Sequence, residues 1–482
     1  MHPAPDTRPA SQASLLFARE AALIAVIVLA IKLAWLVADH TLRVYMGDSM
    51  VYLQTAAWLS AAPGRSFLYG AVLHFSAMPL HTPIAIVIVQ VLWSTLSTLG
   101  VFAFLRRALG LGFWLAAIPA LALASDPAQV FFERMVMAET IGLLALVATV
   151  LAYSRYLFNG SLWWFLGACL CGLGAANFRT NLLPVVIGLG ITVPLLRLLL
   201  QAPLADWRFR AQHLAAAMAM LLGSHLAYTH AYGYLNKCPP GYLALSGMMQ
   251  VGLVAPLIRA EDFEGTGVSG DVLKQVQLPL DDHWQRGHHI WDERGLWRTI
   301  EKNSAEPEAV ARVVTRRAML RDFTGLLRIN VETLGGYFDR EKVYWRMQDD
   351  KGVIAPDEHA LQRIQEWLRW DARGVDAIDT PARRYFAAST AWLTSCLFLL
   401  FPLAVATAAA GWRTSKRAQY CLLALVSMGL VASHVLFAHI VSFRYLHPLP
   451  WFVLANVAAI AGAFLPQRVS REARTGEGTP TP

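Results

Sequence analysis

Ala21-Ala22-Leu23-Ile24-Ala25-Val26-Ile27-Val28-Leu29-Ala30-Ile31-Lys32-Leu33-Ala34-Trp35-Leu36-Val37 runs directly into Ala38-Asp39-His40-Thr41-Leu42-Arg43-Val44-Tyr45-Met46-Gly47-Asp48-Ser49. The first stretch is apolar for the roughly 17 to 25 residues that a helix needs to cross a bilayer core. The second is crowded with ionisable side chains, and Gly47-Asp48-Ser49 before a further apolar-periodic stretch reads as the start of a short helix. Lipid offers no partner to a backbone N–H or C=O, so a spanning segment must satisfy its own as a helix. An apolar helix that empties into a charged loop is the repeating unit here.

Working outward, apolar runs recur at 21–37, 82–104, 111–124, 140–157, 162–176, 182–200, 214–231, 385–410, 420–440 and 448–465. Only 15% of the 482 residues are charged and 56% are hydrophobic, where soluble domains average roughly 25% charged. The sequence predicts an all-α polytopic membrane protein with about ten transmembrane helices and a mostly helical extracytoplasmic insert. Its parts are a cytoplasmic N-terminal tail (1–20), a seven-span module (21–235) with an outer loop at 38–80, the insert (236–384), the closing spans (385–465) and a cytoplasmic tail (466–482). The first run is too long for a signal-peptide core and lacks a cleavage site before Asp39, which makes it an uncleaved first span.

Charge placement sets the orientation. Arg106, Arg107, Arg155, Arg197, Arg208, Arg210, Arg413, Lys416 and Arg417 fall on alternate loops and span ends, as the positive-inside rule requires of cytoplasmic segments. Both termini are then inside and the insert outside, in a multi-pass protein of the cell membrane. The net charge of +8 follows from the same rule and gives no reason to expect nucleic acid. The five cysteines form no redox or metal motif: four sit in apolar runs, and Cys238 in the insert has no partner outside the membrane.

With this orientation the unusual polar residues share one face. The first outer loop carries Asp48, with Asp39, Arg43 and Arg65. The 125–139 loop carries Asp126, Glu133 and Glu139, Arg179 precedes the sixth run, and Arg444 lies in Phe443-Arg444-Tyr445-Leu446-His447-Pro448. Ionisable groups near hydrocarbon are costly and usually functional. Each also has a plainer reading. Asp48 suits a helix cap, Glu139 suits the first turn of a helix, and interfacial arginines snorkel. Guanidinium forks also match phosphate oxygens. Lys32 and His225 stand out as polar residues within otherwise apolar runs. In the insert, Asp281-Asp282-His283-Trp284-Gln285-Arg286-Gly287-His288-His289 fits no zinc spacing and reads as a solvated polar surface.

This layout resembles the GT-C superfamily of membrane glycosyltransferases, in particular the branch of protein O-mannosyltransferases and the lipid A aminoarabinose transferase. The landmarks are Asp48 in the first outer loop and Ser125-Asp126-Pro127 through Glu139. After them come a Gly-rich span (Gly172, Gly174) ending in Arg179, and Arg444-Tyr445-Leu446-His447-Pro448 near the end. The insert matches nothing within that family, although it occupies the place of the family's active-site loop. No second acid flanks Asp48, as it does in some branches, which puts a metal there in doubt.

The resemblance implies inverting transfer of a sugar from a polyprenyl-phosphate donor to a lipid, glycan or protein hydroxyl at the outer face, in a bacterial inner membrane. Asp48 would accept or position the hydroxyl proton, Arg179 and Arg444 would bind the donor phosphate, and Asp126, Glu133 and Glu139 would orient the acceptor or a metal. No cofactor is certain, and a divalent ion stays open. The rival readings are an O-antigen ligase or polymerase working through insert histidines, a transporter or flippase of a lipid-linked sugar, and a structural membrane protein.

Overall fold

A computed structural model describes residues 10–44, 48–60, 64–65, 67–200, 207–352, 358–370 and 379–465. The tail beyond 465, residues 1–9 and Tyr45-Met46-Gly47 of the opening loop lie outside the described residues. Among the described residues there is no β-strand; one isolated bridge pairs Arg43 with Met135.

Each predicted run falls on a helix: α1 (Ala10–Ala38), α4 (Ile84–Ala103), α5 (Phe113–Ser125), α7 (Glu139–Asn159), α8 (Leu162–Phe178), α9 (Leu183–Leu200), α10 (Trp207–Asn236), α19 (Thr390–Gly411), α20 (Arg417–Phe437) and α21 (Leu449–Phe464). Seven are long and apolar enough to cross a membrane: Ser14–Ala38, Ile84–Ala108, Glu139–Asn159, Thr180–Leu200, Thr390–Gly411, Arg417–Phe437 and Phe443–Phe464. The protein is an all-α membrane protein. Three of the ten fall short of that measure. α5 has 13 residues and α8 has 17, while the 30 residues of α10 include Ser224, His225, Thr229 and His230. The first helix also begins at Ala10 rather than near 21, because hydropathy marks what enters hydrocarbon and not where hydrogen bonding starts. Half of the 1–20 segment is therefore helix.

The helices close into a ring in which α1 packs on α4, α4 on α7, α7 on α8, α8 on α9, α9 on α20, α20 on α19, α19 on α21, α21 on α5 and α5 back on α1. The C-terminal helices thus fill the gap left by the N-terminal ones, and one continuous apolar core runs through both. Small residues allow the close approaches: a Cβ on Gly172 would lie 2.7 Å from Val186 of α9, and one on Gly100 would lie 2.5 Å from Val147 of α7. Without a hydrophobic drive between helices in lipid, this backbone proximity is what association rests on.

One end of the bundle is basic. Arg106 Nε sits 2.8 Å from Glu20, Arg197 donates to the carbonyl of Leu157 at 2.6 Å, and Arg417 donates to that of Leu200 at 2.7 Å. The last two satisfy carbonyls that helix ends leave without partners. The loops of the other end carry the acidic residues and the segment 236–384.

That segment packs in two parts. Residues from α11 (Ser246–Val254) through α12 (His288–Trp291), α13 (Leu296–Asn303) and α14 (Pro307–Arg321) to α15 (Phe323–Gly335) bury their own core around Val251, Phe263, Ile290, Leu296, Ile300 and Val314. Glu308 of α14 accepts from Gly247 N at 2.7 Å and Met248 N at 3.1 Å, capping α11. The later residues Tyr337, Met347, Ile364, Leu368 and Trp370 join the core of the bundle instead. α16 (Arg340–Lys351) and α17 (Glu358–Leu368) carry most of these, and α18 (Pro381–Ala387) precedes α19.

The reading of 281–289 as solvated surface holds for Asp281, Gln285 and His288, which are exposed, and fails at Arg286 and His289. Arg286 is fully buried and donates to Ile329 O (3.1 Å), Asn330 Oδ1 (2.9 Å) and Ala438 O (2.9 Å), fastening the insert to the end of α20. His289 is also buried, its Nδ1 accepting from Leu296 N at 3.2 Å. All five cysteines are thiols without disulfide partners.

Candidate functional site: a four-segment ion-pair cluster

The 38–80 loop folds into two packed helices, α2 (Asp48–Trp58) and α3 (Phe67–Ser76). A Cβ on Gly70 of α3 would lie 2.4 Å from Thr55 of α2, so glycine is what lets them touch. Asp48 opens α2 and is 6% exposed. Its Oδ1 accepts from Arg65 Nε at 2.5 Å, and its Oδ2 accepts from Arg444 Nη1 at 2.8 Å. Arg444 sits in the short turn Phe443–Leu446 before α21 and gives its Nε to Glu139 Oε1. Arg179, the residue between α8 and α9, places Nη1 2.8 Å from the same Glu139 oxygen. Its Nη2 lies 3.4 Å from the Arg444 carbonyl.

A chain of charges therefore links Arg65, Asp48, Arg444, Glu139 and Arg179, drawn from four separate connections of the bundle. Three guanidinium groups meet two carboxylates. One polar atom of the cluster, Glu139 Oε2, is buried and has no hydrogen-bond partner among the described residues. Unsatisfied buried polar groups are uncommon because each forfeits its hydration. Here one acceptor is left beside paired arginines, a place where a hydroxyl donor fits. Burial works against ionisation of Asp48, but Arg444 and Arg65 outweigh it and hold its carboxyl below the ordinary range.

The insert supports this cluster from two sides. The carboxyl of Asp350 in α16 accepts from Ser442 Oγ (3.0 Å), Phe443 N (2.6 Å) and Arg444 N (3.2 Å), setting the turn that presents Arg444. Burial pushes Asp350 up to about 6, against those hydrogen bonds. On the other side the Trp291 ring lies 5.0 Å from the Arg65 guanidinium. Sequence reasoning missed Asp350. It is one charge among many in Gln348-Asp349-Asp350-Lys351, and nothing in that stretch signals a partner more than ninety residues away. Arg65 was visible only as one of several outer-loop charges.

Asp126, Glu133 and Glu139 do not form one group. Glu133 is fully buried, with Lys32 Nζ at 2.5 Å, Gln129 Nε2 at 3.1 Å and Arg134 Nη1 at 3.6 Å. Lys32 also reaches the carbonyl of Ala124, at 2.5 Å, so it belongs to this polar island. Arg134 donates to the Asp39 carbonyl at 2.7 Å, while the Asp39 carboxylate takes Arg43 at 2.9 Å and Ala382 N at 3.1 Å. This second network ties the 38–44 and 125–139 loops to the bundle, and Glu133 pairs there with Lys32 instead of with a cluster arginine. Asp126 caps the short helix α6 (Pro127–Phe132), its Oδ1 accepting from Ala128 N and Gln129 N at 3.0 Å each. Among the described residues no three His, Cys, Asp or Glu side chains gather as a metal site.

A cavity of about 210 Å³ lies beside Asp126, between the ends of α5, α19 and α21, and none of the cluster residues lines it. No protein-family model matches the chain, and a comparison with curated proteins finds no match either.

Proposed function

We propose that the protein is a GT-C-like membrane glycosyltransferase that moves a sugar from a polyprenyl-phosphate donor to an acceptor hydroxyl at the non-cytoplasmic surface. The observation that carries the reading is the meeting of Asp48, Glu139, Arg179 and Arg444 at one end of the bundle, with Glu139 Oε2 still without a hydrogen-bond partner among the described residues. The basic opposite end supports a cytoplasmic placement of both termini. All ten helices, including the short α5 and α8, then complete the span count. Such a site belongs at the bilayer edge, where the donor's chain stays in lipid and only its head group enters.

In this mechanism the donor phosphate replaces carboxylates as the partner of Arg179 and Arg444. The bond from the anomeric carbon to the phosphate oxygen breaks as the acceptor oxygen bonds to that carbon. The electron pair leaves on the polyprenyl phosphate, where the two arginines stabilise it. Asp48 with Arg444 beside it is too acidic to be a strong base, so in the unliganded state it positions. Once phosphate draws Arg444 away, its proton affinity rises and it can take the hydroxyl proton. Glu139 Oε2 is placed to accept from the acceptor. The acceptor itself is a lipid, a glycan or a protein hydroxyl, and no nucleic acid enters the reading.

The ligase alternative relies on insert histidines, and His289 is already bonded inside the insert. The test is purified protein in lipid with a panel of labelled polyprenyl-phosphate hexoses. Release of polyprenyl phosphate that falls by a factor of 10² or more in Asp48→Asn, on the order of a positioned base, supports the reading. Equal release by the variant, or sugar-lipid movement across vesicles without transfer, overturns it.

A further inference from the structure

Displaced from the ion-pair cluster, Asp126 faces the cavity beside α5, and its chemistry is unlike that of the cluster. The walls are the rings of Trp392, Trp451 and Tyr385 with the side chain of Leu454. Tyr385 is fixed by donating to Ser125 O at 2.9 Å and by stacking on Trp35 at 5.2 Å between ring centroids. Trp451 is 1% exposed, and its indole Nε1 has no hydrogen-bond partner among the described residues. Asp126 is 6% exposed, and burial raises its carboxyl to about 6 against hydrogen bonds from Gln129 N, Ala128 N and the Trp392 side chain.

The polar groups decide the ligand class. No lysine or arginine lines the cavity, so nothing there neutralises a phosphate. An ammonium would suit the rings and the carboxyl, but it has no lone pair for the Trp451 N–H. A hydroxyl does both, accepting from Trp451 and donating to Asp126. Aromatic walls suit the C–H faces of a sugar ring. At about 210 Å³ the space is of the size of one small ring and not of a long chain.

We infer that the cavity between α5, α19 and α21 is a binding subsite for a pyranose ring, held by Asp126 and Trp451 and stacked on Trp392. It is separate from the ion-pair cluster, and the inference does not rest on the transfer chemistry. Its opening among span ends suits a glycolipid, whose tail remains in the membrane.

The test uses the full chain in nanodiscs and an n-octyl β-D-glucoside bearing a diazirine, with crosslinks mapped by mass spectrometry. Labelling of the segments that carry Trp392 and Trp451, competed by octyl glucoside and not by octyltrimethylammonium or octyl phosphate, is the expected result. Trp451→Phe keeps the ring and removes the donor, and it should weaken competition about tenfold, the value of one hydrogen bond. Asp48→Asn should label like wild type, which separates this subsite from the proposed reaction. Labelling elsewhere, competition by the ammonium or by octane alone, or an unchanged Trp451→Phe would each overturn the inference.

Discussion

Arg444 Nη1 lies 2.8 Å from Asp48 Oδ2, across 396 positions of sequence. The first loop of the chain and the turn before its last helix are thereby joined by one charge-assisted hydrogen bond. The same guanidinium holds Glu139 through a different nitrogen. Two carboxylates are thus set at fixed angles by a planar fork, a task that an ammonium on a flexible stem does not perform.

Arg444→Lys is accordingly expected to keep the charge and lose the geometry. Release of polyprenyl phosphate should fall by about 10²-fold, the scale for misplacing a catalytic group by an ångström. Thermal stability should change little beside that loss. In Asp48→Asn/Arg444→Lys the two losses should not multiply, since the residues act through one contact. Multiplicative losses would mean that the pair is not a functional unit.

The buried island around Glu133 should behave differently. Lys32→Met leaves the Glu133 carboxylate without its nearest cation inside the bundle, which costs on the order of 3 kcal/mol. Replacing both, Lys32→Met/Glu133→Gln, should recover most of that loss in thermal unfolding. Recovery identifies the pair as a structural tie. A double variant no better than the single one would point to another role for Lys32.

Asp350 gives the cluster a pH dependence. Its folded pKa of about 6 exceeds the ordinary 3.8, so between those values the native state holds a proton that the unfolded chain releases. Its contribution to stability therefore declines as pH rises from 3.8 to 6 and is constant above. The ionised carboxylate is nevertheless the better acceptor for Ser442, Phe443 and Arg444. Transfer should thus rise with pH through about 6, and that limb should vanish in Asp350→Asn. Thermal midpoints of wild type relative to Asp350→Asn should be higher at pH 4.5 than at pH 7. The opposite trend would show that the hydrogen bonds outweigh burial.

Much of the bundle was legible because a bilayer leaves so few choices. Apolar runs of spanning length must be helices, and each predicted run is one. The gathering of Asp48, Glu139, Arg179 and Arg444 was legible for the same reason: alternate loops share a face, and costly charges on that face tend to find each other. The pattern says nothing of depth or direction, which is why Asp126 and Glu133 were grouped with Glu139. Glu133 lies only six residues away, but the turn between them sends its side chain inward to Lys32. Arg286 was misread for a related reason, since a polar run gives no sign that one of its members is a buried clamp.

Gly142 offers a test that alters no charge. A Cβ there would stand 2.9 Å from Arg179 Cγ and 3.4 Å from Phe178 Cβ, so the stem of Arg179 must shift while Glu139 holds its head. Gly142→Ala should reduce transfer about tenfold or more through that displacement, with the apparent affinity for donor falling as well. Gly174, on the helix that leads to Arg179, has its nearest added contact at 3.9 Å. Gly174→Ala therefore controls for a Gly-to-Ala change on the neighbouring helix and should stay within about twofold of wild type. If both variants transfer normally, the position of Arg179 does not govern the reaction, and donor-phosphate binding must be sought at Arg65 and Arg444.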